Sequence, residues 1–107
     1  MASFRYSHYF FVVALLSATS AQVLAQSVNF KNTYRSPRDV EFRDGTSASC
    51  ETNAFLDSRT VSSGESVTLK CERIGICYRA KDPRDRDFGP WVAVTCPRQG
   101  VKEAKIP

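Results

Sequence analysis

Four cysteines, Cys50, Cys71, Cys77 and Cys96, constrain this chain more than any other feature. The gaps between them are 20, 5 and 18 residues. A four-thiolate zinc site is built from close C-x₂₋₄-C knuckles, and these gaps contain none. An even cysteine number in a short exported chain reads instead as a disulfide framework. The framework also answers a stability need. Beyond position 25 only 16 of 82 residues are Leu, Ile, Val or Phe, about the level at which chains lack apolar surface for a core. Two bridges are therefore expected as staples, and no metal or cofactor is expected.

Export is read from the front of the chain. One basic residue, Arg5, precedes the apolar run Phe10-Phe11-Val12-Val13-Ala14-Leu15-Leu16, and Val23-Leu24-Ala25 ends the segment with a small residue. That order is the secretory signature. The run is too short for a spanning helix, which needs roughly 20 predominantly apolar residues. Residues 1–25 are expected to be a cleaved signal peptide and 26–107 one small domain, secreted or periplasmic, with no transmembrane segment.

Within 26–107 the hydrophobic period is two, which signals strands. Val28 and Phe30 alternate with Asn29 and Lys31, and Val40 and Phe42 with Glu41 and Arg43. Asp44-Gly45 and Ser62-Ser63-Gly64-Glu65 read as turns. Phe55 to Val61, Ser66 to Glu72, Ile76 to Ala80 and Trp91 to Cys96 supply further strands, Gly75 breaking the chain between two of them. The fold class expected is all-β: a small disulfide-stapled antiparallel β-sandwich or barrel of six to seven short strands. Residues 99–107 are polar and unpatterned and read as a flexible tail. If Ala80 lies near Ala93 in a hairpin, Cys77 falls opposite Cys96. This favours Cys50 with Cys71 and Cys77 with Cys96. The main competitor pairs Cys71 with Cys77 and Cys50 with Cys96.

Much chemistry is removed by one absence. The only histidine, His8, lies in the signal segment. Ser-His-Asp and Cys-His arrangements need an imidazole, and general acid–base work near neutral pH usually uses one. No glycine-rich phosphate loop is present. An enzyme would have to run on carboxylates, with Glu41, Glu51, Glu65 and Glu72 available but unpaired by spacing. Residues 26–107 carry 14 Lys and Arg against 11 Asp and Glu. The signs alternate, whereas a nucleic-acid binder gathers its positive charge on one face, so no nucleic-acid partner is expected. A calcium loop is also disfavoured, because Asp82, Asp85, Asp87 and Gly89 miss the required spacing.

The most unusual stretch runs from Tyr78 to Trp91. It sets Arg79, Arg84 and Arg86 among three aspartates and ends in Phe88-Gly89-Pro90-Trp91. Loops held by a rigid sheet commonly bind partners, and Arg and aromatic side chains are favoured anchors. The opposing reading makes Phe88 and Trp91 cover residues and the charges a solvated surface. Asn32 to Arg38, with Tyr34, Arg35 and Pro37, is a second candidate surface. The sequence therefore reads as a non-catalytic binding module, such as a protein inhibitor or recognition factor, acting through the 79–91 hairpin loop on another protein or an extracellular or envelope macromolecule. Its alternative is a small secreted hydrolase or toxin using carboxylates on polysaccharide or RNA. Action on membranes ranks last, since no amphipathic helix is apparent.

Overall fold

A computed structural model describes residues 26–46 and 49–107. The signal-peptide reading of 1–25 lies outside the described residues. Among the described residues the fold is an all-β sandwich of seven strands: β1 Ser27–Lys31, β2 Arg38–Asp44, β3 Phe55–Val61, β4 Ser66–Lys70, β5 Gly75–Lys81, β6 Val92–Thr95 and β7 Val101–Lys105. One sheet has the order β4-β1-β7 and the other β3-β2-β5-β6.

The alternation read in the sequence determines which side chains meet. Val28 and Phe30 from β1 face Val40 and Phe42 from β2 and Ile76, Tyr78 and Ala80 from β5, all buried. The Phe30 ring lies 4.8 Å from both the Phe42 and the Tyr78 rings, in tilted and edge arrangements that aromatic quadrupoles favour. The intervening residues of β2 and β5 (Glu41, Arg43, Cys77 and Arg79) point out of the sandwich.

Residues 99–107 are not a flexible tail. Val101–Lys105 pair in parallel with β1, with Phe30 beside Ala104, and Ile106 is 2% exposed. The sheet of β1 is therefore mixed, not wholly antiparallel. β7 is polar because it is an edge strand, so its pattern carries little hydrophobic signal. Its inward contribution reduces to Ala104 and Ile106, while Lys102 reaches across to the Thr95 hydroxyl of β6 at 3.1 Å.

The disulfides join Cys50 to Cys77 and Cys71 to Cys96, with Cα atoms 5.9 and 5.8 Å apart. This corrects both the preferred pairing and its competitor. The reason is register. β5 and β6 pair with Ile76 beside Val94 and Cys77 beside Ala93, three residues away from the register that sets Ala80 near Ala93. Ile76 and Val94 point inward, so Cys77 points outward and Cys96, two residues beyond Val94, belongs to the inner side. Cys77 then meets the 3₁₀ turn Cys50–Thr52, which lies in a long excursion between β2 and β3. Asp44-Gly45 is not a tight hairpin. Gly45 does take φ +94°, but it opens this excursion, and its N–H bonds the Gly75 carbonyl. Gly75 does not break the chain; it begins β5 opposite Thr95.

Candidate recognition face

The outward face of β2 and β5 carries a charged cluster that the strand register assembles. Glu41 lies opposite Arg79, and Arg43 opposite Cys77. Glu41 is 8% exposed. Its Oε1 accepts from Arg79 Nη2 at 2.9 Å and Nε at 3.2 Å, and its Oε2 accepts from Arg43 Nε at 2.7 Å. Burial pushes the Glu41 carboxyl up, but the two guanidinium groups bond to it and attract it, and together they hold it below its ordinary value. Arg43 also donates to the carbonyls of Glu51 and Asn53. This fixes the 3₁₀ turn against the sheet.

Trp91 and Phe88 close over these cations. The Arg79 guanidinium lies 4.4 Å from the Trp91 ring and 4.6 Å from the Phe88 ring. Arg43 approaches Trp91 at 5.9 Å, and the Lys81 ammonium approaches Phe88 at 5.6 Å. Cation–π contacts strengthen when solvent is excluded. Here the rings shield the ion pairs from water, and the ion pairs fix the cations beneath the rings.

The five residues singled out in the sequence thus separate into two groups. Arg79, Phe88 and Trp91 form the stack on the sheet. Arg84 and Arg86 stand at the exposed tip of the loop. The tip is ordered by its own bonds. Asp85 N–H donates to the Asp82 carbonyl, and Arg84 N–H donates to Asp82 Oδ1, an Asx turn with Pro83 at its second position. Lys81 Nζ donates to the Asp85 carbonyl at 2.8 Å and pairs with Asp39 at 3.4 Å. Gly89 N–H returns to the Ala80 carbonyl. The Arg84 side chain bonds Asp82 through Nε and Nη2, both at 3.0 Å. With the backbone bond, this holds the Asp82 carboxyl well below the usual carboxylate range and raises Arg84. Asp82 is thus committed to its own turn. Arg86 has no hydrogen-bond or ion-pair partner among the described residues.

The second candidate surface, 32–38, lies at the same end of the sandwich. A cavity of about 370 Å³ separates Ser36 and Pro37 from Asp82, Pro83 and Arg84. Asn32, fully buried, anchors this loop. Its Nδ2 donates to the carbonyls of Ser36 and Val61, and its Oδ1 accepts from Tyr34 N–H. Arg38 lies 4.6 Å over the Tyr34 ring and donates to the Pro107 carbonyl. Both loops are therefore built on fixed supports.

Glu41, Arg43 and Glu51 belong to the site, yet the sequence alone does not place them there. Glu41 and Arg43 occupy ordinary polar positions of an alternating strand. Only the pairing of β2 with β5, which links residues far apart in the chain, brings them under Trp91. A carboxylate hydrolase would need an acid pushed up in a cleft, and Glu41 is displaced in the other direction. Among the described residues no group of three His, Cys, Asp or Glu is placed to hold a metal ion. Comparison of the chain with protein-family models, curated proteins and solved structures finds no match.

Proposed function

We propose that the protein is an exported, non-catalytic binding module that recognises another macromolecule through the loop end of the sandwich. One observation carries this reading: the 82–89 loop is bonded at its base and across its turn, yet it holds the Arg84 side chain 87% exposed and Arg86 beside it in solvent. A loop ordered before binding loses little conformational entropy on docking. The guanidinium of Arg86 offers a fork of donors suited to carboxylates, and the cleft between the two loops gives the tip a concave neighbour. An acidic patch on a protein is the favoured partner. Protein inhibition and extracellular recognition both belong to this class. The stack of Arg79, Phe88 and Trp91 acts as the mount of the loop, with the rings committed to intramolecular contacts.

Affinity capture from extracellular or periplasmic extract, followed by titration of the captured partner with purified protein, tests the reading. Arg84→Ala/Arg86→Ala should weaken binding at least about tenfold, since truncating an arginine that bonds a partner's carboxylate costs roughly 1 kcal/mol or more. Trp91→Ala should weaken it through disorder of the loop. Capture of one partner with equal affinity by wild type and the double variant would refute the loop assignment.

A further inference from the structure

The opposite end of the sandwich has a different chemistry. Among the described residues five large apolar side chains are exposed, and four belong to this end: Ile74 at 73%, Val101 at 61%, Phe55 at 59% and Leu56 at 43%. The strand register shows that they share an end. Ser27 pairs with both Lys70 and Val101, Asp44 pairs with Ile76 and bonds Ala54, and Cys96 N–H bonds the Ile74 carbonyl. Ile74 lines one cavity of about 350 Å³ beside Asp44, and Leu56 lines another of about 240 Å³ with Leu69, Ile76 and the same aspartate. Exposed apolar side chains concentrated at one end of a domain favour an interaction surface there.

The charges at this end favour one occupant. Lys70, Arg73, Arg98 and Lys102 are all exposed here. The acids are Asp44 and Glu72, and Asp44 is already paired with Arg73 at 3.3 Å. A second copy of the chain would set this positive surface against itself, whereas an anionic lipid surface complements it. Aliphatic groups among Lys and Arg are the combination that binds the headgroup region of a bilayer. Gln26 ties this end together, its carbonyl accepting from Cys71 N–H and its side-chain amide donating to the Arg98 carbonyl.

We infer that the disulfide-bearing end seats on an anionic membrane surface, with Ile74 and Leu56 entering the headgroup layer and Lys70, Arg73 and Arg98 facing lipid phosphates. This inference is independent of the recognition role. It places the 32–38 and 82–89 loops on the side away from the bilayer, free to meet a partner.

Vesicle flotation of the exported, oxidised protein tests it. The protein should float with phosphatidylcholine vesicles containing phosphatidylglycerol at low salt, and should remain below pure phosphatidylcholine vesicles. Ile74→Ser/Leu56→Ser and, separately, Arg73→Ser/Arg98→Ser should each weaken vesicle binding, the second pair about thirtyfold, since two basic groups at roughly 1 kcal/mol apiece are removed. All four side chains are exposed, so circular dichroism melting should confirm that the variants fold. Arg84→Ala/Arg86→Ala should float as wild type does, which separates this proposal from the one above. Absence of flotation with the phosphatidylglycerol-containing vesicles would overturn it. So would unchanged flotation of both lower-end variants, or loss of flotation in Arg84→Ala/Arg86→Ala. Sedimentation equilibrium supplies one more contrary result: a dimer abolished by Ile74→Ser would assign the patch to a second copy.

Discussion

Glu41 and Arg79 face each other across β2 and β5, joined by two hydrogen bonds to one carboxylate oxygen at 2.9 and 3.2 Å. The side chains are 10% and 23% exposed. Removing one member leaves the other poorly solvated, and breaking a buried pair costs about 3–5 kcal/mol. Partial solvent access lowers that to about 2–3 kcal/mol here. Arg79→Ala should lower the unfolding free energy measured by urea titration by this amount. It should also release Trp91, seen as a red shift in tryptophan emission. Glu41→Gln should destabilise with a smaller red shift than Arg79→Ala, because the amide oxygen can still accept from Arg79 and keep it beneath the ring.

The same carboxylate contributes to the acid limit of the fold. Glu41 has a folded pKa below its ordinary value of 4.5. It therefore contributes stability that is in place above 4.5 and is lost as pH falls through the lower folded value. Tyr78, whose pKa burial raises above 10.0, has the opposite limit. The buried phenol stays neutral, so stability is intact below 10 and declines as pH rises toward the folded value. Melting temperatures measured across pH should fall at both extremes. Glu41→Gln should flatten the acid limb and leave the alkaline limb unchanged.

Asn32 is a buried amide with both its donor and its acceptor in use. Asn32→Ala leaves the Val61 carbonyl and Tyr34 N–H without their protein partner, at a cost of about 2–4 kcal/mol. The measurable result is faster amide exchange at Tyr34, together with a lowered denaturation midpoint.

Gly75 tolerates no side chain. A Cβ there would overlap the Val94 carbonyl and the Thr46 methyl group, and the Val94 carbonyl is backbone of the neighbouring strand. Gly75→Ala should destabilise by roughly 3 kcal/mol or more, comparable to severe overpacking. Gly64→Ala, where only φ +77° opposes the change and nothing lies within 4 Å, should cost about 1 kcal/mol. Denaturant titration of the two variants compares them directly.

Mass spectrometry of the unreduced digest should find Cys50 linked to Cys77 and Cys71 linked to Cys96. Each bridge spans 27 or 25 residues, for which chain entropy gives about 3.5 kcal/mol. Cys→Ala replacement of either pair should therefore lower stability on that scale.

The sandwich was legible because period-two alternation depends only on which face a strand buries. Val28/Phe30, Val40/Phe42, Val67/Leu69 and Val92/Val94 each declare their inward side locally. Pairing partners do not. The three-residue register difference between β5 and β6 left the strands correct and the cysteine connectivity wrong. β7 was lost for a related reason: an edge strand with two inward residues has too little apolar content to announce itself. Arg79, Phe88 and Trp91 were found through their composition, and the structure brings them into one stack. Their buried counter-ion Glu41 was not placed with them, since an acid in an alternating strand looks the same whether it faces water or a guanidinium.

The parallel union of β1 with β7 ties the opening strand to the closing one. A copy cut short before residue 101 has no second neighbour for Ser27–Lys31, and Ile106 is missing from the interior. Such a fragment presents an unpaired backbone edge, open to quality-control proteases or to association with other fragments. Closure of the fold thereby waits for residues 101–106.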